Sequence, residues 1–216
     1  MNFEQARFNM IEQQLRPGKV LDLDVLDVLY LVKREEFVPA AHHRLAFAET
    51  AIPLGGGASM LLPHVEAHAL QALGMKKHEI VLEVGTGSGY MAALLGAHAD
   101  HVWSVEIDPA LAETARENLR RAGVTNVSVE VGDGLAGLPA HAPYDAIMVS
   151  GAVSLVPKAL LDQLKPGGRL FVFEGREPAM AAALYSRVGE GVRRVVVFET
   201  LADALHEAKP APAFAF

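Results

Sequence analysis

Three glycines alternate at positions 85, 87 and 89 in the stretch IVLEVGTGSGY, and an acid, Glu83, stands two residues before the first of them. The apolar residues around Glu83 read as a buried strand, so the glycines follow directly on a strand end. Backbone without a Cβ lets N–H groups approach a ligand that any side chain would hold away. Glu106 ends the next strand pattern, 17 residues after Gly89, where a carboxylate can accept both hydroxyls of a ribose. A third strand end reads VGDG, in which Asp133 can receive an adenine amino group beside the bare Gly134. Each piece alone has a plainer reading: a tight turn, a surface carboxylate, an Asp-Gly turn. Together, at three neighbouring strand ends, they predict an adenosine-bearing cofactor. Read from Gly85, the dinucleotide pattern G-x-G-x-x-G fails at Tyr90, yet Gly87, Gly89 and Ala92 satisfy G-x-G-x-x-A. The glycines alone leave the choice of cofactor open.

These residues need a parallel sheet to bring their strand ends together. From about residue 79 the pattern supplies one, with strands at 80–84, 101–106, 127–131, 144–150 and 169–173. Helices at 90–98, 109–122 and 158–164 alternate with them, which implies a mainly parallel sheet covered on both faces. A helix is predicted over 179–187 and a last, antiparallel edge strand over 193–200. The first third reads as helical at 3–15, 24–32 and 63–73, the last of these begun by Pro63. Residues 52–59, IPLGGGAS, read as a loop because three consecutive glycines break an element. The expected fold is α/β, a three-layer Rossmann-like arrangement with an antiparallel edge strand and an N-terminal helical extension. One domain is expected over 1–216: a helical substrate-loop region at 1–75, a cofactor-binding core at 76–200 and a tail at 201–216. The tail ends KPAPAFAF and is either loose or docked through Phe214 and Phe216.

At 216 residues the chain can bury a sizeable core. A formal net charge of −7 gives a nucleic-acid partner no support from the chain as a whole. Without cysteine there are no disulfides, thiolate nucleophiles or cysteine-ligated zinc. Charges throughout the first 17 residues argue against a signal peptide, and no apolar run reaches the roughly 18 residues of a membrane helix. A cytoplasmic location is the expectation.

The order E-x-G-x-G-x-G from Glu83 to Gly89 resembles motif I of the class I S-adenosylmethionine-dependent methyltransferases. A narrower resemblance follows from EQARFNMIEQQL, VKREEFVPAAHHRLAFAETAIPLGGG, VLEVGTGSGY, GDGLAGLPAHAPYDAIMV and LDQLKPGGRLFV. These segments, over about residues 4–175, are similar in kind and order to the protein-L-isoaspartate O-methyltransferases. The resemblance implies S-adenosylmethionine as cofactor and methyl transfer to the carboxylate of isoaspartyl residues in proteins or peptides. It implies a cofactor loop of Glu83, Gly85, Thr86, Gly87 and Gly89, a ribose acceptor at Glu106, and an adenine border at Asp133 and Gly134. It also implies that the segment IPLGGGASM covers the methionine end. The chain departs from the family where G-x-G-x-T-I-S-Q-P is usual. The family's active-site serine falls on Leu61, and only Ser59 supplies a hydroxyl, which makes Ser59 the candidate catalytic residue. Leu138 replaces a usual aromatic or valine, and Val196-Val-Phe-Glu-Thr200 replaces the family's V-x-F-V-P.

Two alternatives share these residues: a diverged relative that methylates another acceptor, such as a small carboxylic acid, and a cofactor-binding module without methyl transfer. A dehydrogenase is more distant. His64 and His68 are i, i+4 on a helix but lack a third ligand, so no metal site is expected. No G-x-S-x-G elbow occurs, and the fourth strand lacks the N-P-P-Y tetrapeptide of amino-directed methyltransferases. Phe171, Phe173, Val195 and Val197 are expected in the core, with Arg120-Arg121 and Arg193-Arg194 in solvent.

Overall fold

The computed structural model describes residues 2–205; Phe214 and Phe216, the expected docking points of the tail, lie outside them. Its main sheet has seven strands: β3 Ile80–Val84, β4 His101–Glu106, β5 Val127–Val131, β6 Tyr144–Val153, β7 Leu164–Arg176, β8 Ala179–Val188 and β9 Gly191–Glu199. A separate hairpin pairs β1 Ile52–Gly55 with β2 Ala58–Met60. In the main sheet the order is β5-β4-β3-β6-β7-β8-β9. The first five are mutually parallel, and β8 and β9 run antiparallel beyond them. From β3 the chain winds outward through β4 and β5, then crosses back to place β6 on the other side of β3. This reversal opens a crevice beyond the carboxyl ends of β3 and β6, where open α/β sheets hold their ligands.

Side chains alternate between two buried layers, as the two-residue period of a strand requires. Val81, Ala146, Met148, Phe171 and Phe173 face one apolar cluster. Leu82, Val84, Ile147, Val149 and Val172 face the other. The first cluster also takes up the buried faces of α1 Phe3–Met10, α2 Leu23–Leu31, α3 Pro63–Leu73 and α4 Tyr90–His98. The N-terminal helices are therefore part of the layer over the sheet. The remaining helices are α5 Pro109–Arg121 and α6 Lys158–Asp162. Sequence-local devices fix helix ends. Asp108 caps α5 by accepting from Ala110 N and Leu111 N ahead of Pro109, and Gly74 ends α3 in the left-handed conformation. On β4, Trp103 stacks on His141 with centroids 3.4 Å apart and planes 8° from parallel.

Three expectations require correction. Residues 52–59 form a hairpin, not a loop: Gly56 and Gly57 have φ of 61° and 85°, the two left-handed positions of a tight two-residue turn. Residues 179–187 form strand β8 and not a helix. The alanine-rich run has helix propensity, but pairing on both sides, with β7 and β9, overrides it. The antiparallel edge is consequently two strands wide. Val195 and Val197, expected in the core, are 43% and 38% exposed, because the outermost strand β9 is uncovered over most of its length and only Phe198 reaches the core. Helix 3–15 is continuous in space, with its last turn, Ile11–Leu15, widened to the π form.

Candidate functional site

The carboxyl ends of β3, β4, β5 and β6 enclose a cavity that gathers Ser59, Gly85, Gly87, Glu106, Asp133 and Gly134. Six residues predicted from four separate stretches of sequence thus share one space. Ile107, Leu135, Ser150 and Gly151 complete its walls together with the chain segment 203–205. A smaller inner chamber lies behind the glycine loop, bounded by the hairpin, α3 and α4. Ser59, Gly85, Gly87 and Ser150 line both spaces.

The glycine loop is held from below and behind. Gly85 N donates to Val105 O at 2.8 Å and Gly89 N to Thr86 O at 2.9 Å. Gly87 N donates to Glu106 Oε2 at 2.8 Å, while Glu106 Oε1 accepts from Asp108 N at 3.1 Å. Glu106 therefore ties the loop to the start of α5 as well as facing the cavity. A Cβ on Gly87 would lie 3.1 Å from Leu54 of the hairpin, so the bare backbone there keeps the cavity open. Gly89 has a different use. Its φ is 84°, and a Cβ would meet Ala115 and Leu119 of α5 at 3.3 Å, so it is the contact between loop and helix and lines neither space.

Glu83 is wholly buried beneath the loop and also lines neither space. Its Oε2 accepts from Ser104 Oγ at 2.5 Å and its Oε1 from Ser150 Oγ at 3.0 Å. Ser104 in turn lies 2.6 Å from Thr86 Oγ1. Burial pushes the Glu83 carboxyl up to about 8, against the two serine hydrogen bonds that favour the anion. Its reach into the cavity is through Ser150. Asp133 holds the following turn by accepting from Leu135 N at 3.0 Å, which fixes its carboxylate at the cavity edge. Gly134 beside it packs against Val84, where a Cβ would approach to 2.5 Å.

Leu61 lines only the inner chamber, and its carbonyl accepts from Arg34 Nη2 at 2.7 Å. His64 binds Glu49, and His68 binds Gly18 O; no group of metal-ligating side chains forms among the described residues. Three features escaped the sequence reading. Ser150 and Gly151 sit in VSGA at the end of β6, a stretch whose signal is its place at the sheet's reversal point. The segment 203–205 returns alongside β6: Ala152 N donates to Asp203 O at 2.8 Å and Leu205 N to Ala152 O at 2.9 Å. Leu205 then covers the bare backbone of Gly85 and Gly151. The third is Glu66, an acid on the buried face of α3.

The donors and acceptors fit an adenosyl cofactor. Two carboxylates stand at adjoining strand ends, backbone is bare between them, and among the described residues no lysine or arginine lines the cavity. Known proteins agree. The sequence pattern of the protein-L-isoaspartate(D-aspartate) O-methyltransferase family matches residues 5–200. A protein-L-isoaspartate O-methyltransferase of Methanoculleus marisnigri is 46% identical over 166 residues, covering 77% of this chain and 76% of its own. Another, from Syntrophobacter fumaroxidans, is 39% identical over 193 residues, or 89% and 90% of the two chains. A solved protein-L-isoaspartate O-methyltransferase superposes with a TM-score of 0.80 at 27% identity, over 93% of this chain and 66% of that one. A Plasmodium falciparum beta-aspartate methyltransferase, solved with S-adenosyl-L-homocysteine, shares the fold with a TM-score of 0.80 at 19% identity, over 95% and 99%. The chain belongs to the protein-L-isoaspartate(D-aspartate) O-methyltransferase family, enzymes that use S-adenosylmethionine.

Proposed function

We propose that the chain transfers a methyl group from S-adenosylmethionine to the carboxylate of isoaspartyl residues in damaged proteins or peptides. The observation that carries this reading is the single cavity joining Gly85, Gly87, Glu106 and Asp133 with Ser59 of the hairpin. Glu106 would accept the ribose hydroxyls, and Asp133 with Gly134 would border the adenine. Thr86 would brace the loop through Ser104, and Gly89 would seat it on α5. The cofactor supplies an electrophilic methyl carbon on a sulfonium sulfur. An isoaspartyl carboxylate is already ionised near neutral pH, so the protein needs no strong general base. Its task is to place the acceptor oxygen, hold the donor and exclude water, which can lower a barrier by several kcal/mol. Ser59, on the hairpin between both spaces, is the hydroxyl placed to orient that acceptor.

The reading takes 1–216 as one methyltransferase domain, supported by the shared core of the N-terminal helices and the sheet. No helix among the described residues is long and apolar enough to cross a membrane, and the net charge of −7 disfavours nucleic acid. A cytoplasmic location and a protein substrate belong to the same reading. Leu61 favours a second reading, an altered acceptor such as another carboxylic acid. Turnover of an isoaspartyl peptide with labelled S-adenosylmethionine decides between the two. Label in the peptide as a base-labile ester supports repair; tight S-adenosylhomocysteine binding without peptide labelling rejects it.

A further inference from the structure

The acceptor of the proposed reaction is an anion, and an anion is held by hydrogen-bond donors. Among the described residues the polar side chains on the outer cavity are those of Ser59, Glu106, Asp133, Ser150 and Asp203. Three of these are carboxyl groups, which as anions only accept. Side-chain donors remain on Ser59 and Ser150 alone. Both serines also line the inner chamber, where Leu61 supplies no hydroxyl. Ser150 lies on β6, beside the bare Gly151, where the sheet order reverses between β3 and β6.

The Ser150 hydroxyl is coupled to a buried acid. Its Oγ stands 3.0 Å from Glu83 Oε1, while Glu83 Oε2 is 2.5 Å from Ser104 Oγ. Ser104 Oγ is in turn 2.6 Å from Thr86 Oγ1. Glu83 and Ser104 are fully buried, and Thr86 nearly so. A serine hydroxyl carries one proton and two lone pairs, so its direction depends on what its neighbour needs. An anionic Glu83 accepts from both serines. Ser150 then directs its proton inward and turns only lone pairs to the cavity. A neutral Glu83 with its proton on Oε1 donates to Ser150 Oγ instead, and Ser104 still donates to Oε2. The Ser150 proton is then released toward the cavity. Protonation of a residue that lines neither space thus sets the polarity of a hydroxyl that lines both.

Resting on the isoaspartyl reading above, we propose that Ser150 donates a hydrogen bond to the acceptor carboxylate, with neutral Glu83 behind it as the positioning residue that frees its proton. Ser150 shares this task with Ser59 and offsets the hydroxyl missing at Leu61. The same bond from Glu83 to Ser150 holds β3 and β6 together on either side of the crevice.

A pH dependence follows. Burial pushes Glu83 up to about 8, and two further acids, Glu106 on β4 and Glu66 on α3, push the same way against the two serine bonds. At pH 7 the Glu83 carboxyl is therefore mostly neutral, and Ser150 is available as a donor. As pH rises through 8, Glu83 ionises, Ser150 turns inward and the peptide meets lone pairs. The isoaspartyl carboxylate stays ionised throughout this range. Above pH 8, binding of the peptide draws one proton onto Glu83.

The test measures initial rates with an isoaspartyl peptide at saturating S-adenosylmethionine, alongside calorimetric affinity for S-adenosylhomocysteine. In wild type the peptide KM is expected to rise about tenfold from pH 7 to pH 9 while S-adenosylhomocysteine affinity holds. Ser150→Ala should raise the peptide KM at pH 7 by about ten- to a hundredfold and remove the further rise with pH. Ser150→Thr, which keeps the hydroxyl, should restore most of the loss. Glu83→Gln, whose amide N–H replaces the acid O–H toward Ser150, should flatten the KM profile between pH 7 and 9. A flat profile in wild type overturns the inference, as does a Ser150→Ala variant with wild-type peptide KM. Equal loss of peptide and S-adenosylhomocysteine binding in Ser150→Ala also overturns it, since that marks Ser150 as a structural tie. If wild type binds S-adenosylhomocysteine but labels no isoaspartyl peptide at any pH, the isoaspartyl reading fails first and the inference falls with it.

Discussion

Gly87 and Gly89 look alike in the sequence and answer to different neighbours, which makes them a sharp pair for experiment. Gly87→Val should abolish measurable S-adenosylmethionine binding, since the backbone there faces the cavity and its Cβ already meets Leu54 at 3.1 Å. Gly89→Ala should leave affinity intact while lowering the melting temperature, because the cost falls on the left-handed backbone and on the α5 contact. Glu106→Ala should weaken binding by about 1.5–3 kcal/mol, the worth of a charge-assisted hydrogen bond. Calorimetry on the folded variants checks all three. Leu61→Ser is expected to raise turnover of an isoaspartyl peptide by about ten- to a hundredfold, by placing a hydroxyl donor in the inner chamber. Family-level turnover in the unmodified chain would instead show that Ser59 alone suffices. The place of Gly85 and Gly87 at the cavity was legible from spacing, because bare backbone after a strand has few uses. That of Gly89 was not, since its contact is with α5, a helix about thirty residues further on. Glu66 was hidden for a related reason: its partner Arg34 comes from another element.

Between elements, the carboxylate of Glu83 ties three strands, accepting from Ser104 on β4 and Ser150 on β6 while standing on β3. Its carboxyl is raised in the folded state, from the ordinary 4.5 to about 8. Between those values the folded chain holds a proton that the unfolded chain releases, so this group lowers stability as pH rises through the window. Below about pH 4.5 both states are protonated and the effect is absent. Denaturant unfolding at several pH values should show this downward slope in wild type and a shallower one in Glu83→Gln, with a single site contributing up to about 1.4 kcal/mol per pH unit. Equal slopes would mean that other groups set the dependence. Strands β3, β4 and β5 fell where the apolar periodicity placed them, because each is short and bounded by turn residues. Strand β8 did not, as AMAAALYSRV carries no strand signal of its own and becomes one only between β7 and β9. The triple glycine in 52–59 signalled a break and concealed a hairpin turn.

Over the whole chain, the cavity is closed by a segment that sequence patterning left undefined. Residues 203–205 bond to Ala152 on both sides of its peptide and lay Leu205 across Gly85 and Gly151. A Cβ at Gly151 would come within 2.7 Å of Leu205 and 3.1 Å of Asp203 O. Gly151→Ala should therefore push the segment off without disturbing the sheet beneath, and Leu205→Ala should loosen it from the other side. In both variants the amide hydrogens of Ala152 and Leu205 are expected to exchange faster, by about tenfold or more, with weaker nucleoside binding. Unchanged exchange would mean that the segment is held elsewhere. Nothing in the composition of 201–205 announces this docking, which rests on backbone hydrogen bonds that any sequence can make.

Trp103 is the only tryptophan in the chain, and its ring lies flat on His141. An imidazole in face contact drains an excited indole, so the native protein should be dim. Unfolding separates the two rings, and emission should brighten rather than fade. The same strand ends three residues later at Glu106. One wavelength thus follows β4 alone, without a label, through both denaturation and the filling of the crevice. His141→Ala should raise native emission; if brightness is unaltered, the stack does not govern the signal.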